Sequence, residues 1–388
     1  MSSCQLCSSS QVVLNNDDLL TLILLHVPRK KLISLKCVSR QWLSLITNPH
    51  FIIRLRSLPP FRISGLFFQQ PVYGAECNKV DFVHLNDLKT PSPFSFLTFA
   101  HDHTDPERVC IKQSCNALLL CCTDRSANIT LVYNPSTNQL DTLPKHPCTD
   151  SYGLLHIDLI FDPSKSLHYK VISFLTRPQP SVGDFYIYSS ETKTWRPSIK
   201  SYLPSPDMLF RDGAYWNGCL HWLSEYSNSR PVSDSLYFNV DEERLQTFPS
   251  PPISEWSVDK SYFGESEDHL HYTEVCPFDS SFRVYEMKSD YSEWFVKYQI
   301  DLVPISITFP EMKDCFFYTC DSFNAAVVSL IRRENFKEDS FLVLEIPGKI
   351  IRYNLVDKSF KVIWEFVLPE YGPRFWPCGG LKAWPIIE

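Results

Sequence analysis

Residues 35–51 of the chain read LKCVSRQWLSLITNPHF. Four of its large apolar side chains are spaced by three, four and three residues: Leu35, Val38, Trp42 and Leu45. This spacing is typical of one face of a helix, and the Asn-Pro pair that follows predicts the end of that helix. An apolar helix face must be buried, so what covers it bears directly on what the protein does.

The helical pattern continues on both sides of this stretch. Asn16 can cap a first helix that ends before Pro28, and a second helix is predicted over residues 29–36. Ser39 can cap the third helix, and Pro49 suits the first turn of a fourth. Three or four such helices within about forty residues bury too little apolar surface to be stable alone. We therefore expect them to pack against another chain or against the rest of the protein.

Length and composition limit the function classes. The chain has 388 residues, of which 44% are hydrophobic and 21% charged, and this predicts a globular protein of two domains. No stretch approaches the roughly 20 apolar residues of a membrane helix, so no membrane partner is expected. The first residues do not resemble a signal peptide. We expect a location in the cytoplasm or nucleus, reduced cysteines, and no glycan at the Asn128 sequon.

The charge is distributed unevenly. Residues 19–75 contain no acidic residue and eight basic ones: Arg29, Lys30, Lys31, Lys36, Arg40, Arg54, Arg56 and Arg62. Of the 37 basic residues, 29 remain for the rest of the chain, against all 44 acidic residues, a net charge of −15 there. A basic N-terminal piece joined to an acidic body suggests two surfaces with different partners.

Residues 14–51 closely resemble the F-box of plant F-box proteins, most clearly in the closing segment CVSRQWLSLITNPHF. Two positions depart from the usual pattern, Leu22 in place of an acidic residue and His26-Val27-Pro28 in place of Arg-Leu-Pro. The resemblance implies that the segment binds the Skp adaptor of a cullin-based ubiquitin ligase. The implied core and docking residues are Leu19, Leu20, Ile23, Leu24, Pro28, Leu32, Leu35, Val38 and Trp42. A DNA-reading helix-turn-helix is the alternative, but no helix presents polar side chains for base edges, so no nucleic-acid partner is expected.

The body of the chain repeats one plan. Five segments combine an alternating apolar strand, a polar turn and a second strand: residues 131–144, 185–198, 236–252, 282–298 and 350–366. Each is predicted to be a β-hairpin. Their aligned aromatic residues are Tyr133, Tyr188, Phe238, Tyr285 and Tyr353, separated by 55, 50, 47 and 68 residues. Three further segments join a polar turn to an apolar strand: residues 114–122, 215–224 and 264–275.

A period near 50 residues with paired hairpins predicts a β-propeller of six or seven blades. The segments also resemble the kelch-like, F-box-associated region of the same plant family, most clearly over residues 114–252. Kelch repeats carry paired glycines, and this chain has only 11 glycines, so a two-sheet β-sandwich is the alternative. The predicted fold class is α+β multidomain: a disordered tail over residues 1–14, a helical F-box over 15–55 and a mostly antiparallel all-β domain over 56–388.

No candidate active site stands out. Cys4 and Cys7 form half of a zinc motif in a serine-rich tail, and His101-Asp102-His103 lacks a further ligand nearby in sequence. His269 and His271 would share one strand face, again without an evident carboxylate, and we expect solvated or core histidines. Cys121 and Cys122 are expected as small core residues, one on each face of their strand. No cofactor or metal is expected, and the chain is predicted to be non-catalytic.

The sequence therefore predicts the substrate-recognition subunit of a Skp–cullin–F-box ubiquitin ligase, whose β-domain binds an unidentified target protein. Aromatic and charged residues of predicted loops are candidate target contacts: Trp195, Arg196, Phe210, Arg211, Asp212, Tyr226 and Trp256. Each tryptophan is equally compatible with a place in the core of a blade. The alternatives are a propeller enzyme or small-ligand binder with the helices as a cap, and an F-box scaffold acting outside a ligase.

Overall fold

The computed structural model of the chain contains two compact units, one helical and one built of β-sheets. It describes residues 16–27, 29–57, 63–69, 80–85, 109–123, 129–148, 154–177, 182–202, 213–224, 226–227, 230–231, 234–252, 261–276, 280–313, 323–332, 340–366 and 381–387. The predicted tail over residues 1–14 lies outside these ranges.

The helical unit consists of four short helices: α1 (Asp17–Leu25), α2 (Arg29–Leu35), α3 (Arg40–Thr47) and α4 (Pro49–Ser57). The predicted caps are confirmed. The Asn16 side chain accepts hydrogen bonds from the backbone N–H groups of Asp18 and Leu19, and Ser39 Oγ accepts one from Trp42 N. Helix α4 begins at Pro49, as predicted, and continues two residues past the expected domain boundary at residue 55.

The core of the helical unit is formed by side chains from all four helices: Leu20, Leu24, Leu25, Leu32, Ile46 and Phe51. Partly buried apolar residues pack around it, among them Leu35, Trp42 and Leu45. Between α1 and α3, the Gln41 amide donates a 2.7 Å hydrogen bond to Asp17 Oδ1.

The second unit contains six antiparallel sheets, each forming one blade, and a two-stranded ribbon. The first blade contains β3 (Val109–Cys115), β4 (Leu118–Thr123), β5 (Thr130–Asn134) and β6 (Gln139–Thr142). The second blade contains β7 (Leu154–Ile160), β8 (Lys170–Arg177), β9 (Val182–Ser189) and β10 (Thr194–Tyr202). The third blade contains β11 (Ala214–Trp216), β12 (Cys219–Trp222), β15 (Ser235–Asn239) and β16 (Arg244–Phe248), with the ribbon β13 (Tyr226–Ser227) and β14 (Arg230–Pro231) inserted between β12 and β15.

The fourth blade contains β17 (Tyr262–Ser266), β18 (His269–Cys276), β19 (Ser281–Met287) and β20 (Trp294–Asp301). A short helix α5 (Val303–Thr308) and a 3-10 turn (Pro310–Met312) lead to the fifth blade. That blade contains β21 (Ala326–Ile331), β22 (Phe341–Ile346), β23 (Lys349–Asn354) and β24 (Phe360–Glu365). The closing blade joins both ends of the unit, since β1 (Ile63–Gln69) pairs with β2 (Val80–His84) on one side and with the last strand, β25 (Lys382–Ile387), on the other.

The first strands of neighbouring blades lie side by side, and in the closing blade the last strand, β25, takes this place. Strand β3 contacts β7, β11 contacts β17, β17 contacts β21, and β25 contacts both β21 and β3. Asp158 on β7 accepts a hydrogen bond from the backbone N–H of Gly213, which immediately precedes β11. The unit is a six-bladed β-propeller, so the lower of the two predicted blade numbers is confirmed and the β-sandwich alternative is wrong.

The predicted repeat corresponds to the third and fourth strands of each of the five four-stranded blades. Its five aromatic residues are all buried. In three blades the aromatic is followed by an asparagine whose Oδ1 accepts hydrogen bonds from the backbone N–H groups two and three residues later: Asn134, Asn239 and Asn354. Such an asparagine closes a tight turn within its own segment. This local bonding explains why the hairpins were visible in the sequence.

Candidate protein-interaction surfaces

The residues implied by the F-box resemblance separate into three groups by exposure. Leu20, Leu24 and Leu32 are buried in the core of the helical unit. Leu35 and Trp42 pack against that core and are partly buried. Leu19, Ile23 and Val38 are exposed, and Pro28 lies outside the described residues. The implied set therefore contains both residues that hold the helices together and residues available to a partner.

Two more large apolar residues of the helical unit are exposed. Leu22 lies on α1 beside Ile23, and Leu43 lies on α3; both have about the same exposure as Leu19 and Ile23. Leu22 entered the sequence analysis only as a departure from the family pattern, and Leu43 was not singled out. The apolar spacing of α1 could have indicated Leu22, because position 22 is one helical turn from Leu19. We call Leu19, Leu22, Ile23, Val38 and Leu43 the apolar surface of the helical unit.

The histidine pair of the fourth blade contacts a carboxylate on the neighbouring strand, which the sequence did not indicate. His269 Nδ1 lies 3.1 Å from Glu286 Oε1, and His271 Nε2 lies 3.5 Å from Glu286 Oε2. Arg332, which follows β21 of the next blade, places Nη1 2.6 Å from Glu286 Oε2. Lys297 Nζ is 3.4 Å from the same oxygen. Glu286 is therefore surrounded by two cations and two imidazoles.

Electrostatics make this group a buried ion-pair network. Burial by itself would raise the pKa of Glu286, but the hydrogen bond with His271 and the charges of Arg332 and the histidines lower it to about 2. Burial lowers the pKa of His271 to about 4, against the raising effect of Glu286. Among the residues described, no group of three or more His, Cys, Asp or Glu side chains has an arrangement suited to a metal ion. The network joins the fourth and fifth blades through Arg332.

Two candidate target contacts instead connect neighbouring blades. Trp195 is partly buried, and its Nε1 donates a 2.9 Å hydrogen bond to Pro144 O of the preceding blade. The Arg196 guanidinium forms a bidentate ion pair with the Glu243 carboxylate of the following blade. Both side chains are engaged within the propeller, so we do not assign them to target binding.

The remaining candidates cannot be placed. Several lie outside the described residues: Cys4, Cys7, His101, Asp102, His103, Asn128, Phe210, Arg211, Asp212 and Trp256. Tyr226 lies in β13, where only the backbone is described. In the parts of the chain that the structure covers, no helix is long and apolar enough to cross a membrane.

Comparison with known proteins supports both units. The sequence profile of the F-box domain matches residues 16–54, and that of the F-box associated beta propeller domain matches residues 79–373. The F-box protein At5g07610 of Arabidopsis thaliana is 35% identical over 385 residues, which cover 92% of this chain and 87% of that protein. The F-box protein At5g03970 of the same plant is 24% identical, covering 67% of this chain and 62% of that protein.

Among solved structures, an oligogalacturonate lyase in complex with manganese matches with a TM-score of 0.41 at 6% identity, over 67% of this chain and 66% of that chain. A similarity this low has no bearing on activity. The two family matches and the Arabidopsis relatives establish the family, because together they span the helices and the propeller. The chain belongs to the plant F-box proteins that carry a C-terminal F-box-associated β-propeller domain.

Proposed function

We propose that this protein is the substrate receptor of a Skp–cullin–F-box ubiquitin ligase. Its helical unit binds the Skp adaptor and, through it, the cullin, while the propeller binds a target protein. The chain itself breaks and forms no bond. Its contribution is proximity, because holding the target next to the ubiquitin-charged enzyme raises the effective concentration of the target's lysines. Such a complex would work in the cytoplasm, the nucleus or both.

The observation that carries the proposal is the apolar surface of the helical unit. Its five side chains are exposed by between 39% and 56%, although the unit has a separate core built from Leu20, Leu24 and their neighbours. Several large apolar side chains left exposed on one small helical unit are typical of a protein that binds a partner there. The F-box family supplies the identity of the partner, the Skp adaptor.

The propeller supports the receptor role in a different way. Several of its buried polar groups bind one another within the fold: Glu286 and Arg332 form an ion pair, and Asp158 accepts hydrogen bonds from Gly213 N and Trp222 Nε1. These bonds give a rigid frame, on which connecting loops can present target-binding residues. No described feature favours an enzymatic role.

A binding measurement with purified Skp adaptor tests the proposal. The full chain and an Ile23→Asp/Val38→Asp double variant would be compared by calorimetry. Both side chains are exposed, so the substitutions leave the core of the helical unit intact. Burying such a side chain contributes roughly 1.5–3 kcal/mol, so we expect the double variant to bind at least about a hundredfold more weakly.

Ile307→Asp is the matched control. Ile307 lies on α5 of the propeller and is 72% exposed, so it carries the same chemical change outside the helical unit. We expect its adaptor affinity to equal that of the unchanged chain. Equal affinity of all three proteins, or no binding by the unchanged chain, would refute the adaptor role.

The ligase role needs a separate experiment, because an F-box protein could also act as a scaffold. Proximity labelling from the full chain and from the Ile23→Asp/Val38→Asp variant should recover the same target, since the propeller is unchanged. Ubiquitination of that target in cells should occur only with the unchanged chain. A target that is bound but ubiquitinated equally with both proteins would favour the scaffold.

A further inference from the structure

Two cysteines of the first blade lie directly opposite each other. In the antiparallel register of β3 and β4, Cys110 pairs with Cys122. Residues opposed in this way have Cα atoms about 4.5–5.5 Å apart, and a disulfide needs a Cα separation of about 4.4–6.8 Å. The backbone already satisfies the spacing that a Cys110–Cys122 bond requires.

The side chains of this pair share one face of the sheet. Val109, Ile111 and Cys121 belong to the hydrophobic cluster on one face, so strand alternation places Cys110 and Cys122 together on the other. Cys110 and Cys122 are only partly buried, whereas Cys121 is buried. The expectation that both Cys121 and Cys122 are core residues is therefore confirmed for Cys121 alone. A small solute can reach the Cys110–Cys122 pair more readily than Cys121.

The hydrogen bonds around the pair distinguish its two sulfurs. Gln69 Nε2 donates to Cys110 Sγ at 3.3 Å. The hydrogen bond with Cys110, together with burial, raises the pKa of Cys122 above its usual range. The Gln69 amide donor favours negative charge on Cys110 Sγ, and a thiolate is the reactive form of cysteine.

We propose that Cys110 and Cys122 form a reversible disulfide when hydrogen peroxide is present. The Cys110 thiolate attacks one peroxide oxygen, the O–O bond breaks, and hydroxide leaves and is protonated to water. Cys110 is then a sulfenic acid. The Cys122 sulfur attacks the Cys110 sulfur, the S–O bond breaks, and the hydroxyl leaves as a second water with the Cys122 proton. Two thiols are oxidised, one peroxide is reduced to two waters, and a dithiol reductant reverses the change.

The location of the pair gives the disulfide a structural effect. Gln69 lies on β1 of the closing blade, and its Oε1 also accepts a hydrogen bond from Ile111 N at 3.1 Å. The disulfide would link β3 to β4 where the first blade meets the closing blade. We expect oxidised protein to unfold at a higher urea concentration than reduced protein, because the bond restricts the unfolded chain.

Peptide mapping of the intact protein tests the proposal. The chain is treated with hydrogen peroxide, its remaining thiols are alkylated in denaturant, and it is digested with trypsin. Cleavage after Arg108, Lys112 and Arg125 places Cys110 in peptide 109–112 and Cys122 in peptide 113–125. We expect these two peptides to be joined by a disulfide. Fragmentation should place the bond at Cys122, and dithiothreitol should separate the two peptides.

Single variants provide the controls. Cys121→Ser should keep the link, because Cys121 lies on the other face. Cys122→Ser should leave a Cys110 sulfenic acid that dimedone traps, and Cys110→Ser should give neither product. Recovery of peptide 109–112 in alkylated form after peroxide treatment, or a link to Cys115 or Cys121, would overturn the proposal. The mapping of the unchanged chain decides the question even if a variant fails to fold.

Discussion

At the scale of single residues, Glu286 pairs with several charged or ionisable side chains of the propeller. Its carboxylate contacts His269, His271, Lys297 and Arg332, and both Glu286 and Arg332 are about 6% exposed. Removing one partner of a buried ion pair is strongly destabilising, while an exposed ion pair contributes little. Glu286 is therefore the residue at which a minimal chemical change should have the largest effect.

We expect Glu286→Gln to lower the free energy of unfolding by about 3 kcal/mol, because the buried Arg332 guanidinium would lose the negative charge that lies 2.6 Å from its Nη1. Urea denaturation at neutral pH measures the change. Glu293→Gln is the matched control, since Glu293 is 62% exposed and pairs with Lys288 at the surface. The control should change stability by no more than about 0.5 kcal/mol. Similar losses in both variants would contradict this account of Glu286.

His221 determines a pH dependence of stability. It is fully buried, its Nε2 lies 2.8 Å from Tyr291 Oη, and burial lowers its pKa from 6.5 to about 4. The unfolded chain therefore binds a proton at higher pH than the folded one. The neutral form of His221 therefore favours the folded state. Its contribution to stability, about 3 kcal/mol in total, is complete above about pH 6.5 and is lost as the pH falls toward 4.

A His221→Gln variant isolates this contribution. Burial of Glu265 raises its pKa to about 7. Protonation of Glu265 therefore increases stability as the pH falls over an overlapping range, opposite to the effect of His221. The stability of the unchanged chain reports only the sum of the two effects. The difference in unfolding free energy between the unchanged chain and His221→Gln should shrink as the pH falls from 6.5 to 4. Urea titrations at several pH values measure it. A difference that stays constant across this range would show that His221 does not titrate as described.

At the scale of elements, one contact recurs between neighbouring blades. Trp195 at the start of β10 donates to Pro144 O of the first blade, and Trp294 at the start of β20 donates to Pro249 O of the third blade. In both cases the proline closely follows the last strand of the preceding blade. Both tryptophans also pack within their own blades, so each is a packing residue as well as a connection between blades.

We expect Trp195→Phe and Trp294→Phe each to lower the free energy of unfolding by about 1 kcal/mol. Phenylalanine keeps an aromatic ring at each position but cannot donate the hydrogen bond to the proline carbonyl oxygen. The two losses should add, since the residues lie in different blades. Trp364→Phe is the control, because Trp364 stacks on Phe68, a contact that phenylalanine can keep. Urea denaturation of the unchanged chain, the three single variants and the Trp195→Phe/Trp294→Phe double variant measures these effects. A loss of equal size in the Trp364 control would show that ring size, not the hydrogen bond, matters.

At the scale of the whole molecule, the propeller is closed by its most distant strands. Strand β25 pairs with β1, and Trp384 of β25 packs with Phe67, Val109 and Tyr133. Ser114 Oγ donates a 3.2 Å hydrogen bond to Pro385 O, so β25 also connects to the first full blade. Without β25, the faces of both neighbouring blades would be exposed.

We expect removal of residues 381–388 to abolish cooperative unfolding of the propeller, because the closing blade would lose the strand that pairs with β1 and packs against the first blade through Trp384. Removal of residues 1–15, which precede α1, should leave the urea transition unchanged. Near-ultraviolet circular dichroism and urea denaturation distinguish the two truncations. A sharp, native-like transition for the protein lacking residues 381–388 would contradict the closing role of β25.

Local features of the sequence were sufficient for much of this structure. The caps Asn16 and Ser39, the start of α4 at Pro49 and the five hairpins all depend on residues within a few positions of one another. Side-chain bonding to the nearby backbone and apolar periodicity act over such distances, so they can be read without knowing the fold. The F-box pattern also identified the family, which the comparisons confirm.

Other features depend on contacts between distant parts of the chain. The exposure of Leu19, Ile23 and Val38 beside the buried Leu20 and Leu24 depends on how four helices pack. The carboxylate near His269 and His271 comes from the neighbouring strand, and Arg332 comes from the next blade. The blade number depends on the pairing of β1 with β25, more than 300 residues apart in the chain. The sequence alone thus determined the helices, the hairpins and the family, because their signals are local. Only the tertiary structure decided which apolar side chains are exposed to partners and how the propeller closes, because burial and strand pairing depend on long-range contacts.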